Sequence, residues 1–342
     1  MTPPDALLVL SFGGPERPGE VMEFLGNVLR GRDVPRERML AVAEHYHHFG
    51  GVSPINGHNR ELVAAVRADL VAHGIDLPVY WGNRNWHPLL VDTLQVMRDD
   101  GVRRAAVLVT SAFGSWSGCR QYCDDLARAA AAVPGAPALD KLRLYYDHPG
   151  LVEAFADGLA RTLAGAGERP RVWFAAHSIP ESMAASAPYQ RQLRVAAALV
   201  AERAGVGTWQ MCYQSRSGPP GQAWLGPDVC ELLRAVPGGD TVVVCPLGFV
   251  SDHMEVVYDL DTEAAGVAAG RGVTLLRSAT PGSHPAFVAM VRELLGERLD
   301  PGAPRRSLGP DGPWPDACPE GCCAPPRRPA AGVVGRNASR GA

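Results

Sequence analysis

Nowhere in the 342-residue chain do about 18 consecutive apolar residues occur, which excludes a membrane-spanning helix. No basic segment precedes the short apolar run in MTPPDALLVLSFGGPERP, so no export signal is read there and a cytoplasmic protein is expected. Excess positive charge is also missing: a formal net charge of -3 leaves no electrostatic footprint for nucleic acid. Cysteine is too sparse for a disulfide framework, with eight residues in a chain this long and no export signal. What is present is an ordinary globular composition, 46% hydrophobic and 20% charged. The length suits two lobes or one large α/β unit.

Apolar, strand-like runs ending in polar or Gly/Pro loops recur as two triplets: ALLVLSFGGP, LPVYWGNRN and AAVLVTSAFGS, then RVWFAAHSIP, TWQMCYQSRSG and TVVVCPLGFVS. Each first strand runs into a turn with proline (Pro15, Pro180), each second into a stretch with arginine (Arg84, Arg216), and each third into a loop with serine (Ser115, Ser251). Helical spacing fills the gaps, as in Leu62, Val66 and Leu70, and again in Leu193, Ala197 and Val200. This alternation predicts an α/β fold of two similar Rossmann-like lobes, each with a parallel sheet covered on both faces. Ligands bind such sheets at the carboxyl ends of the strands, so the cleft between the lobes is the default site. The N-terminal lobe spans 1–147, with a lip insertion over about 16–60. The C-terminal lobe spans 148–298, and 299–342 is a Pro/Gly-rich tail expected to be extended, its last dozen residues disordered.

The chemistry-bearing residues cluster after strands. His177 follows WFAA and precedes Ser178-Ile179-Pro180, at a strand's carboxyl end. In VCPLGFVSDHMEVVYDLDTEA, 244–264, an apolar strand leads to His253 and then to Glu255, Asp259 and Glu263 at i, i+4 and i+8. On an α-helix those acids are about 40° apart and share one face. Like charges there repel, so the stripe is either a solvated surface or a device for handling cations. An imidazole facing a carboxylate across the cleft can bind a divalent cation weakly or accept protons. The loops GGVSPIN and QSRSGPPGQAWLGPDV, and the aromatics Tyr46, Trp81, Trp86, Tyr122 and Trp224, serve equally as tight connections and core or as the lining of a flat apolar ligand. In the tail, Cys318, Cys322 and Cys323 supply three thiols and no histidine, one short of the four an iron-sulfur cluster needs. Cys119 in the body is the natural fourth, with Cys123 second.

Assembled in order, these segments resemble the ferrochelatase family. The motifs are Leu10-Ser11-Phe12-Gly13-Gly14-Pro15, Gly50-Gly51-Val52-Ser53-Pro54-Ile55, Ala176-His177-Ser178-Ile179-Pro180, Gln214-Ser215-Arg216 with Trp224-Leu225, and Gly248-Phe249-Val250-Ser251-Asp252-His253-Met254-Glu255. The resemblance covers the chain to about residue 295. It implies a bilobal fold, a porphyrin between the lobes, and ferrous iron inserted with His177 and Glu255. It also implies a hydrated iron route along Glu255, Asp259 and Glu263, with His87 near its outer end. Porphyrin contacts carried over are Phe12, Arg30, Tyr46, Ser53 and Tyr122. Phe12 stands where some relatives have a metal-ligating tyrosine, and it cannot ligate.

The tail resembles the cluster-bearing extension of part of the family, although its C-x3-C-C spacing differs from C-x2-C-x4-C. A [2Fe-2S] cluster on Cys119, Cys318, Cys322 and Cys323 is the expectation. Arg30, Arg32, Arg36 and Arg38 give the lip four arginines in nine residues, which favour the propionates of coproporphyrin III over the more apolar protoporphyrin IX. That feature is most like the soluble actinobacterial branch. Fe(II), coproporphyrin III and later haem-pathway enzymes are the implied partners. The competing expectations are a protoporphyrin IX ferrochelatase, a cobalt or nickel chelatase, and a non-catalytic haem-binding redox sensor.

Overall fold

Two parallel four-stranded sheets organise the computed structural model, which describes residues 2–31, 34–218, 221–319 and 321–325. Strands β1 (Ala6–Ser11), β2 (Val79–Asn83), β3 (Arg104–Val109) and β4 (Ala138–Lys141) pair in the order β2-β1-β3-β4. Strands β5 (Arg171–His177), β6 (Trp209–Gln214), β7 (Thr241–Cys245) and β8 (Thr274–Arg277) repeat that order as β6-β5-β7-β8. The three strands read in each half are present, and a fourth closes one edge of each sheet. The fourth was missed because β4 (ALDK) and β8 (TLLR) are four residues long and only partly buried, so they lack the apolar run that marks the inner strands. All six residues of β1 are buried, as a strand covered on both faces requires.

The helices are α1 (Val21–Val28), α2 (Arg36–His48), α3 (Ile55–Ala72), α4 (Leu90–Asp99), α5 (Gln121–Ala132) and α6 (Pro149–Ala164) in the first part of the chain. They continue with α7 (Glu181–Ala184), α8 (Tyr189–Arg203), α9 (Val229–Ala235), α10 (Met254–Tyr258), α11 (Ala265–Arg271) and α12 (Pro285–Leu299). Leu62, Val66 and Leu70 are buried on α3, and Leu193, Ala197 and Val200 on α8, as their spacing predicts. One apolar cluster runs from Leu7, Val9 and Leu108 of the first sheet, through α3, α6, α8 and α12, to Phe174, Val243 and Cys245 of the second. The two halves therefore share a core. Among the described residues no helix is long and apolar enough to cross a membrane.

Helices α1 and α2 form the lip and carry a small core of their own. Phe24, Leu25, Ala43, Tyr46 and Trp86 pack there with Met254, and Tyr258 lies against them. Since Met254 and Tyr258 belong to α10, the lip of the first half rests on the helix that carries the acids of the second.

Beyond α12 the described tail has neither helix nor strand, and it is pinned to the body rather than free. The Leu308 amide donates to the Asp147 carbonyl at 2.9 Å, and the Trp314 and Tyr146 rings meet edge to face at 6.2 Å. Arg298 and Arg305 both reach Asp316, at 2.7 and 2.9 Å, and Arg191 of α8 pairs with Asp311. The disorder read for the last dozen residues lies outside the described residues. At the root of the tail, Arg143 and Glu297 form a two-pronged ion pair, with Nε–Oε2 2.9 Å and Nη2–Oε1 2.8 Å. Their side chains are only 1% and 4% exposed, and Arg143 Nη2 also donates to the Arg306 carbonyl at 2.8 Å. Removing one partner of so buried a pair strands the other charge. Glu297→Leu should therefore cost about 3–5 kcal/mol, read as a lower denaturation midpoint of the full chain; an unchanged midpoint would show that the pair contributes nothing.

Candidate active site

In each sheet the first strand lies inside and the connections run outward to both sides, so the carboxyl ends of β5 and β7 flank the point where the winding reverses. A crevice for ligands opens at that point in such sheets. His177 ends β5, opposite Gln214 of β6. Its loop is tied down by the Ser178 amide donating to the Gln214 carbonyl at 2.7 Å, by the Ser178 hydroxyl donating to the Leu225 carbonyl at 2.8 Å, and by a bridge between Pro180 and Trp224. Gly248 brings the loop after β7 alongside. A Cβ there would stand 2.8 Å from the Cα of Ala176, so only glycine allows the segment carrying Ser251–Glu255 to lie against β5.

The imidazole of His177 has a defined direction. Its Nδ1 lies 2.5 Å from the Ser178 carbonyl oxygen, which can only accept, so Nδ1 carries a proton. Nε2 is left to face Glu255 Oε2 at 3.5 Å. Both side chains reach solvent, 31% for His177 and 52% for Glu255. Burial disfavours the imidazolium, but the charge and hydrogen bond of Glu255 outweigh it and raise the His177 pKa. Crowding by protein likewise pushes the Glu255 carboxyl up, yet His177 and, less strongly, His253 bring it down to about 2. Each group therefore favours the charged form of the other. His253 itself is shifted downward by burial.

The acid stripe is not the uninterrupted α-helix read from the sequence. Glu255 lies on α10, after which Asp259–Ala264 forms a π-helix before α11 resumes. A wider turn advances fewer degrees per residue, which offsets the drift that four-residue spacing accumulates on an α-helix. Asp259 is half-buried and accepts a hydrogen bond from the Ser215 hydroxyl. Burial raises its carboxyl; Ser215 opposes that, Glu255 and Glu263 add to it, and the group comes to about 7. Glu263 stands exposed at the outer end. His87 does not join this series in any described contact: its nearest acid is Asp92, at 4.0 Å.

Of the residues expected around a flat ligand, Phe12 and Tyr46 lie in or against the lip's apolar cluster, and the phenol of Tyr46 is pushed up by burial and by the charge of Glu255. Ser53 is 4% exposed and packed against the Gly14–Pro15 turn, its amide donating to the Pro15 carbonyl at 2.9 Å. Tyr122 is buried on α5 with the Arg84 guanidinium 4.4 Å from its ring, and Arg84 also reaches toward Phe12 and pairs with Asp125 at 2.5 Å. Arg30 is exposed just past α1 and donates to Asn27 Oδ1 at 2.6 Å; Arg32 lies outside the described residues. Sequence reasoning missed Ser215 as the partner of Asp259, Arg84 as the cation beneath two aromatic rings, and His45. The last had a visible signal, three histidines within one turn in EHYHH.

The tail thiols fold back onto the body. Cys119 is buried in a π-helix, Trp116–Arg120, and the neighbouring thiols of Cys123, which raises its pKa, and Cys318, which lowers it, both act on it. Cys318 reaches Cys322 in turn, and the sulfurs of Cys322 and Cys323 are 3.6 Å apart. Among the described residues no three His, Cys, Asp or Glu side chains converge on one metal-ion position.

A family model described as Ferrochelatase matches residues 4–299. The coproporphyrin III ferrochelatase of Nocardia farcinica is 53% identical, over 96% of this chain and 98% of that one. The coproporphyrin III ferrochelatase of Streptomyces coelicolor is 50% identical, over 98% and 96%. The ferrochelatase of Rhodopirellula baltica is 49% identical, over 96% of each. Among solved structures, SirB from Bacillus subtilis, with Fe3+, shares the fold at a TM-score of 0.52 and 16% identity, over 85% of this chain and 96% of that one. The site geometry carries a direct test: Glu255→Gln should move the His177 titration downward in an NMR pH series, because the carboxylate charge that raises it is gone. An unmoved titration would mean that the two groups are not coupled.

Proposed function

The chain belongs to the ferrochelatase family, and we propose that it inserts ferrous iron into coproporphyrin III. The observation that carries the reading is the His177–Glu255 pair at the reversal point of the second sheet, with a carboxylate series leading away from it. Metallation expels two pyrrole N–H protons while the ion enters the ring. Iron reaching Glu255 takes over the carboxylate charge that holds a proton on His177 Nε2. That proton leaves along Asp259, which titrates at about 7 and so both accepts and releases near neutrality. The freed Nε2 takes a pyrrole proton, and a repeat of the relay removes the second. Hard carboxylate oxygens hold Fe(II) loosely enough to pass it inward.

Substrate choice rests on the lip. Arg30, Arg36 and Arg38 are exposed there and can form charge-assisted hydrogen bonds with the four carboxylates of coproporphyrin III. Leu40 and Val52, 44% and 43% exposed on the same lip, favour the second reading, a protoporphyrin IX enzyme. A cytoplasmic location and delivery of the product to a later enzyme of haem synthesis belong to the same proposal. The test is kcat/KM for both porphyrins with ferrous iron, anaerobically. Coproporphyrin III should be preferred, and Arg30→Ala should shrink the preference. His177→Ala should lose about 10²–10⁴ in rate while still binding porphyrin. A preference of about tenfold or more for protoporphyrin IX, worth ~1.4 kcal/mol, would overturn the substrate; undiminished turnover by His177→Ala would overturn the base.

We further assign the thiols to a [2Fe-2S] cluster, held by Cys119, Cys318, Cys322 and Cys323. The donor set fits in type and number, since such a cluster takes four thiolates, two on each iron, and so needs no convergence on one ion. When bound, it supplies one-electron chemistry and a covalent tie between tail and body. The purified protein should be red-brown with about two irons and two acid-labile sulfides per chain, and serine at any of the four positions should bleach it. Stoichiometric zinc without sulfide would reject the cluster. Bleaching by Cys123→Ser but not by Cys119→Ser would reassign the body ligand.

A further inference from the structure

Helix α2 meets the acid-bearing segment through one specific contact. The His45 imidazole lies flat on the Tyr258 ring, with centroids 3.7 Å apart and planes 6° from parallel, and His48 meets the same ring edge-on at 6.3 Å. A ring stacked by its face keeps its nitrogens in its own plane, pointing away from the stack. Among the described residues neither His45 nitrogen makes a hydrogen bond, and the ring is neither fully buried nor fully exposed. Glu263, the outermost of the three acids, follows Tyr258 by five residues on the π-helix, about one wide turn along the same segment, and is exposed; burial lowers the His45 pKa and the Glu263 charge opposes it. Arg38, on the same helix as His45, acts with burial in the lowering direction. An unoccupied imidazole edge therefore stands at the mouth of the carboxylate series, on the opposite half of the molecule from the acids.

We propose that His45 and Glu263 together receive ferrous iron at the entrance to the route, a site to which each half of the molecule contributes one ligand. The chemistry suits the ion. Fe(II) accepts imidazole nitrogen and carboxylate oxygen, and two protein donors leave its remaining positions to water, so it is captured without being trapped. The same donor pair, one histidine and one glutamate, stands at the inner end as His177 and Glu255, and the ion travels between two equivalent stations with Asp259 between them. Because His45 rides on the lip, the entrance is complete only when the lip rests on α10. Tyr258 supports the imidazole by its face and leaves the nitrogen-bearing edge free.

This assignment rests on the carboxylate-route reading, and the experiment separates the two. His45→Phe keeps a flat ring on Tyr258 but has no nitrogen. In that variant the KM for Fe(II), measured anaerobically, should rise about tenfold or more. Its kcat and coproporphyrin KM should stay within about twofold of the parent. In the same protein without porphyrin, Co(II) used as an optical probe should bind correspondingly more weakly. If His45→Phe is indistinguishable from the parent while His45→Ala is impaired, the ring only props the lip and the proposal fails. A rise in the coproporphyrin KM instead of the iron KM would make His45 a propionate contact and would also overturn it. Glu263→Gln tests the route itself. An unchanged iron KM there removes the carboxylate route, whereas a raised one beside an unaffected His45→Phe removes His45 alone.

Discussion

The direction of the His177 imidazole depends on a hydrogen bond between neighbours in sequence, from its Nδ1 to the carbonyl of Ser178. Because that oxygen can only accept, the imidazole is committed to one tautomer, and its second nitrogen is the one presented to Glu255. The bond holds only while the Ser178 peptide is held, which is the work of the contacts to Gln214, Leu225 and Trp224. Those partners come from β6 and the loop beyond it, so the reach of one side chain is set by a whole sheet edge. Glycine at 248 supplies the complementary condition by letting the loop after β7 approach closely enough for Glu255 to meet Nε2.

Outward from this pair, the environment changes along a single helical segment. Glu255 is held as an anion by two histidines, Asp259 is brought near neutrality by burial and flanking acids, and Glu263 stands in solvent. Glu255 and Asp259 thus differ in charge behaviour because their surroundings differ. The π-helix keeps them in line by slowing the rotation that would carry them around the axis. Such wide turns recur at functional positions, and a second one holds Cys119 in this chain.

The tail adds a constraint of another kind. It crosses the body through Arg306–Glu293, Leu308–Asp147, Trp314–Tyr146 and Arg191–Asp311 before reaching Cys119. Ion pairs at the surface contribute little individually, but the buried Arg143–Glu297 pair anchors the path where the tail leaves α12. Asp147 lies near the end of the first half and Arg191 on α8 of the second. The tail therefore touches both halves.

Local sequence determined the inner strands, the helix spacing and the placing of the candidate residues at strand ends, because each is a short-range property: apolar runs are covered strands, and the polar residues that follow them sit at their carboxyl ends. The A-H-S-I-P and S-D-H-x-E segments, with the other motifs, were enough to place the chain in its family and to single out His177 and Glu255. Edge strands β4 and β8 escaped notice because half-exposed strands carry no strong apolar signature. Tertiary structure alone decided the rest. Arg84 came to lie under Tyr122, Ser215 to donate to Asp259, and His45 to stack on Tyr258, each pairing joining residues 38 to 213 positions apart. His87, which the resemblance places near the outer end of the acid series, lies beside Asp92. Contacts of that range follow from how the lip and the two sheets pack on a shared core, and no local pattern of residues encodes which side chains that packing brings together.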